Sequence, residues 1–215
     1  MSLRSTFLTR YPTAQDRTAV YSAASGVSNF VLAIVKIIMG AVLWSVWLII
    51  FGGYYVLLFS TRAFLVHRYV LLSRSEVTEG NVNRFLRLGG ILYILLGAVF
   101  TLCAVTMYFG GYTEKFTKVT AITIATIGFY KIISAIVGFV RVRKMRHGPL
   151  IFLKAVSIAD GLVAIVLTQY ALLSFEKSAQ ANTSTGLFGM GVGVLITVVG
   201  VVITIIMFRR GGAKD

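Results

Sequence analysis

Acidic side chains, cysteine, proline and histidine are all scarce in this 215-residue chain: seven Asp and Glu, one Cys, two Pro and two His. Each scarcity excludes something. A lone thiol, Cys103, closes no internal disulfide, so no redox staple holds the fold and the residue reads as core packing. Two prolines without a Pro/Ser-rich tract exclude a collagenous or disordered chain. His67 and His147 have no second His, Cys or carboxylate at i+3 or i+4, whereas zinc takes three or four such ligands, so neither a metal site nor a cofactor is expected. HExxH and GxSxG are absent, and no neighbouring carboxylate orients His67 as a base. The chain does not read as an enzyme.

What is present is apolar. Hydrophobic residues make up 57% of the chain and charged residues 13%, with mean hydropathy +0.86, against about a quarter charged in soluble domains. Seven acids and twenty-one bases cannot clothe that much Val, Ile, Leu and Phe, so the bilayer must be the outer solvent. A hydrocarbon core about 30 Å thick needs roughly 20 apolar residues per helix. Six stretches qualify: residues 19–43, 46–66, 85–109, 117–140, 150–174 and 187–208. Each is too long and too uniformly apolar for a strand of a transmembrane barrel. The expected architecture is an all-α polytopic membrane protein with an N-terminal segment, 1–18, a six-helix transmembrane domain, 19–208, and a tail, 209–215.

Basic residues orient it. Arg4, Arg10, Arg17, then Arg62, Arg68, Arg74, Arg84, Arg87, then Arg141, Arg143, Lys144, Arg146, and finally Arg209, Arg210 and Lys214 fall on one side; the other has Lys115, Lys118 and Lys177. Fifteen against three places both termini in the cytoplasm, at the cell (cytoplasmic) membrane of a prokaryote. The net charge of +14 is accounted for by this topological signal; a nucleic-acid groove would need basic, polar and aromatic residues interleaved in a soluble region. Arg141, Arg143, Lys144 and Arg146 also suit anionic lipid head groups, at about 1 kcal/mol per base. The first apolar run begins after residue 18 and is as long as a full span, so it is expected to be retained rather than cleaved. Thr13 with Asp16, and Ser73 with Glu76 before Gly80, suggest short helical turns on the cytoplasmic side. Trp44, Trp47, Tyr69, Tyr108 and Tyr112 lie near span ends and read as interface belts.

Small residues form stripes where backbones can approach closely in lipid. Gly189, Gly193 and Gly200 share a face of the sixth span, Gly90, Gly97 and Ala104 recur at heptads in the third, and Ala155 and Ala159 lie on the fifth. They serve either packing within the chain or a homodimer face. A short similarity links Lys36-Ile37-Ile38 to Lys131-Ile132-Ile133; with opposite crossing directions it would belong to an inverted repeat of three spans each.

Ionisable groups in the membrane are few, and at its centre each costs about 2.5 to 3.5 kcal/mol on insertion scales. Lys154, Arg62 and Lys36 lie near enough to span ends to snorkel. Lys131 and Asp160 do not: both lie about 15 Å from the cytoplasmic boundary on sequential helices. They are expected to form an ion pair within the bundle, with Tyr130, Ser134, Ser157, Ser25, Ser28 and Asn29 as neighbours. The candidate binding residues are therefore Asp160, Lys131, Asn29 and Ser134, either as a self-satisfying pair or as a site for a translocated ion.

Asn29-Phe30, Leu32-Ala33, Lys36 and Gly40 in the first span, followed by Ser45 at the turn, resemble the membrane domain of the cation diffusion facilitator family. The resemblance touches about a third of the chain and implies a six-helix fold with both ends inside, a dimeric habit and cation efflux. That family carries metal on Asp and His residues spaced by four on its second and fifth helices. Here residues 51–58 contain no ligand, and Asp160 has Val156 four residues before it. The family's C-terminal metal-sensing domain has no counterpart in these 215 residues. Two expectations follow: a transporter-like protein moving an ion or small solute past the Lys131 and Asp160 layer, or a non-transporting scaffold or partner subunit. The expected partners are the lipid bilayer, a second copy in a homodimer and anionic lipids, with no nucleic acid.

Overall fold

A computed structural model of the chain describes residues 46–74, 78–110, 116–144 and 148–211. The first expected span, 19–43, lies outside the described residues, and with it Ser25, Ser28, Asn29 and Lys36; so do Thr13, Asp16, Glu76, Tyr112, Arg146 and His147. The described residues form five α-helices and no strand: α1 Val46–Arg74, α2 Glu79–Phe109, α3 Lys118–Arg143, α4 Gly148–Phe175 and α5 Ala181–Gly211. All five are long and apolar enough to cross a membrane, and they correspond to the second to sixth expected spans. The protein is a multi-pass integral membrane protein.

The helices overrun the apolar stretches. α1 continues eight residues past 66 and α2 begins six residues before 85, because no proline interrupts either end and charged residues leave the membrane without leaving the helix. Ser73 therefore belongs to α1 rather than to a separate turn. Tyr69, expected in an interface belt, is buried instead, since the longer α1 keeps packing on its neighbours at that level. Thr117 caps α3, its hydroxyl accepting the Thr120 amide at 3.3 Å. Contacts at the two ends confirm alternate crossing. The Arg87 guanidinium covers the Phe208 ring at 4.7 Å, placing the start of α2 beside the end of α5. At the opposite end Phe116 meets Tyr170 edge-on at 5.7 Å.

α4 is the hub. It touches each of the other four helices and has buried residues around much of its circumference, as a helix apolar on all sides should. Two antiparallel helix pairs carry the rest. The α2–α5 pair joins elements distant in sequence and is the closest. Gly186 abuts Tyr108, Gly189 abuts Ala104, Gly193 abuts Thr101 and Gly200 abuts Ile94. Each step of seven up one helix is matched by a step of seven down the other, the register of a left-handed antiparallel crossing.

Threonines interlock this pair. Gly97 lies against Thr197 while Thr101 lies against Gly193, and Thr204 lies against Gly90. Thr101 donates to Gly97 O at 2.9 Å, Thr197 to Gly193 O at 2.9 Å and Thr204 to Gly200 O at 2.8 Å. Each hydroxyl is thus satisfied on its own helix, as a lipid-embedded surface requires. The second pair, α3–α4, repeats the device: Gly128 lies against Thr168, which donates to Ala164 O at 2.9 Å. The buried residues of α3, Ala121, Gly128, Ala135 and Val142, recur every seven. The glycine stripes of α2 and α5 therefore cover each other within one chain and leave no homodimer face there.

Candidate functional site

Three long helices bring charge to one depth. Arg62 is twelve residues before the end of α1, Lys131 twelve before the end of α3, and Asp160 twelve after the start of α4. At 1.5 Å per residue each lies about 18 Å from its helix terminus. Lys131 Nζ meets Asp160 Oδ1 at 3.0 Å, so the expected ion pair is present. Arg62 joins it: Nη1 lies 4.0 Å from Asp160 Oδ2, and Nη2 donates to Ser157 Oγ at 2.6 Å.

Arg62 corrects the expectation that it snorkels. It is 1% exposed, because α1 extends to Arg74 and puts position 62 at mid-span rather than near the inner edge. Sequence reasoning missed it through the span boundary; the signal available was the proline-free helical run to Arg74. Among the proposed neighbours, Ser157 is present as a partner of Arg62. Ser134 is exposed and Tyr130 is 72% exposed, both on sides of α3 turned from the pair. Asn29 lies outside the described residues.

Aromatic rings wall the cluster. Lys131 Nζ sits 4.6 Å from the centroid of Tyr55, a cation–π contact worth up to about 2 kcal/mol when desolvated. Tyr54 packs at a tilt of 53° on Phe100, ring centroids 5.0 Å apart, and its buried hydroxyl has no hydrogen-bond partner. Tyr93 donates to Ala155 O at 3.0 Å, tying α2 to α4 below the charged layer. Beside Lys131, a half-open cavity of about 50 Å³ lies between α3 and α4, lined by Tyr55, Ile124, Gly128, Ala164 and Leu167. That volume holds a few water-sized particles at about 10 to 15 Å³ each.

Further bases lead toward the inner edge. Lys154, six residues before Asp160 on α4, lays its side chain along Gly138 of α3, where an added Cβ would be in van der Waals contact with it, and lies within electrostatic reach of Arg62 and Arg141. Arg141 and Lys144 border a recess of about 360 Å³ floored by Ile136, Val137 and Val140. Arg143 projects from another side of the helix, and Arg146 lies outside the described residues. Among the described residues no three His, Cys, Asp or Glu side chains gather as metal ligands. Asp160 is the only carboxylate in any of the six expected spans, against six bases: Arg87 and Lys118 near span ends, and Lys36, Arg62, Lys131 and Lys154. The arrangement is a buried charged layer: one carboxylate held between two cations inside an apolar bundle.

Comparison with protein-family models, with curated proteins and with solved structures returned no match.

Proposed function

We propose that this is a six-span protein of the cytoplasmic membrane, with both termini in the cytoplasm, that moves an ion or small solute past the Arg62–Asp160–Lys131 layer. The observation that carries the reading is the cluster's depth. Charged side chains at the centre of the bilayer are expensive to insert, and ion and solute pathways are one of the places where such groups occur. The frame resembles a cation diffusion facilitator membrane domain without its metal ligands, and a homodimer is consistent with that resemblance. Arg141 and Lys144, with Arg143 and Arg146 nearby in sequence, are the residues for anionic lipid on the cytoplasmic face.

A second reading has its own support. Arg62, Tyr54, Tyr55, Leu58 and Leu65 are all within 2% of complete burial, as expected of a triad that only locks α1 to α3 and α4 in a scaffold or partner subunit. Flux separates the two. Proteoliposomes holding the wild type should pass ions under an imposed gradient, and Asp160→Asn should change that flux at least tenfold. Absence of flux for every cation and anion tried, protons included, would leave the scaffold.

A further inference from the structure

We infer that internal water is bound between α4 and α5 at the end of the bundle opposite Arg141 and Lys144, held by the hydroxyls of Ser174 and Thr185. The inference goes beyond the transport reading and does not depend on it. Hydroxyls in this bundle keep one habit: Thr101, Thr168, Thr197 and Thr204 each donate to the carbonyl four residues before them on their own helix. Ser174 and Thr185 depart from it. Ser174 is 5% exposed and Thr185 0%, yet neither hydroxyl finds a hydrogen-bond partner among the described residues. Between helices in lipid there is no bulk water to turn to, so a hydroxyl left unpaired there carries its whole desolvation cost.

Helix register brings the two together. Gly189 of α5 faces Val166 of α4, where an added Cβ would lie 3.3 Å from Val166 Cγ1. From that contact α4 runs on to Phe175, and α5 runs back to its start at Ala181. Four residues along α4 is Tyr170 and four back along α5 is Thr185, both about 6 Å beyond the contact. Ser174 and Asn182 form the next level, about 10 to 12 Å beyond it. Steps of three and four keep each set on one helix face, and all four side chains are buried. Water stays inside a protein where two to four polar groups surround it. Here the two hydroxyls stand about one turn apart in height, with the Asn182 amide and the Tyr170 phenol on the same levels. Ala171 and Ala181, both fully buried, keep bulk out of the site. On α4, Ser174, Leu167, Ala164 and Asp160 share one face, and Leu167 and Ala164 line the cavity beside Lys131. Hydration from this side therefore reaches the Tyr170 level, ten residues or about 15 Å from the Asp160 carboxylate.

Hydroxyl radicals made by a brief X-ray pulse modify side chains beside bound water even where bulk water is excluded. Tyr170 and Tyr93 are almost equally buried, at 2% and 4%, and Tyr93 already donates to Ala155 O. In the full chain in detergent, Tyr170 should be modified at least threefold faster than Tyr93. Ser174→Ala and Thr185→Val combined should bring Tyr170 down to the Tyr93 rate. Each variant takes a partner from the water, so each should also lower the unfolding temperature, and the double variant should lower it by less than the sum. Dry, unpaired hydroxyls give the opposite sign. A rise in unfolding temperature in both variants overturns the inference, as does Tyr170 modified no faster than Tyr93 in the wild type.

Discussion

At residue 160 a single carboxylate holds two cations, and removing different members of the triad has unequal consequences. Asp160→Asn leaves Arg62 and Lys131 facing each other without their shared anion, and breaking a buried pair in this way costs about 3 to 5 kcal/mol. Lys131→Met leaves a matched Arg62–Asp160 pair and a side chain that fills the same volume, so the expected cost is under about 1.5 kcal/mol. Thermal unfolding in detergent should rank the two in that order; equal losses would mean that Asp160 is not the group the two cations share. Tyr54 offers a smaller test. A buried hydroxyl with no partner carries a desolvation penalty of about 1 to 3 kcal/mol, so Tyr54→Phe should raise the unfolding temperature. The Lys131–Asp160 pair was legible in the sequence because two charges of opposite sign stand at one depth in adjacent apolar runs. Arg62 was not, because its depth depends on where α1 ends, and hydropathy marks the edge of apolar sequence rather than the end of the helix.

Helix pairs in this protein are held by glycines facing threonines, and the tolerance of each glycine follows from what a Cβ would meet. At Gly97 it would lie 2.5 Å from Thr197 N and at Gly193 2.8 Å from Thr101 N, backbone atoms that move only if the helices part. Gly97→Ala or Gly193→Ala should each destabilise by about 1 to 3 kcal/mol as overpacking. Gly53 and Gly191 meet nothing within 4 Å, so alanine there should stabilise by about 0.5 to 1 kcal/mol through helix propensity. Denaturation of the four variants side by side checks the contrast. A helix end gives another prediction. α4 closes with Ser178 N donating to Leu173 O and Lys177 N to Ser174 O, and Lys177 sits at φ 55°, the left-handed position that glycine favours. Lys177→Gly should therefore add about 1 kcal/mol, the cost of a Cβ in that region. The stripes at Gly90, Gly97, Gly193 and Gly200 stand out in the sequence by spacing alone. Which stripe meets which did not, since spacing cannot distinguish a partner helix in the same chain from one in a second copy.

Over the whole molecule, helix direction and charge agree. The starts of α2 and α4 and the ends of α1, α3 and α5 share one side, with Arg84, Arg87, Arg141, Arg143, Lys144 and Arg209 near them; Lys118 and Lys177 lie at the other. Withdrawing Arg62 from the count, now that it lies at mid-span, leaves the asymmetry intact. In a Cys103→Ala background, a membrane-impermeant maleimide applied to intact cells should label Lys177→Cys. It should reach Arg74→Cys and Lys144→Cys only after permeabilisation. Labelling of the latter pair from outside would reverse the orientation.

Composition by itself determined that hydrocarbon surrounds this chain and that it crosses as helices, because backbone polar groups in lipid must be satisfied within each segment and a long apolar run leaves no other solution. The sequence also placed the only intramembrane carboxylate and its lysine. Tertiary structure decided the rest: that α2 pairs with α5 across the intervening α3–α4 hairpin, that the glycine stripes are used up against each other, and that Arg62 turns inward to make the charged layer a triad. These depend on distant segments meeting. In a bilayer, where every apolar face is equally soluble, such meetings are chosen by close backbone packing and by the sharing of buried charge.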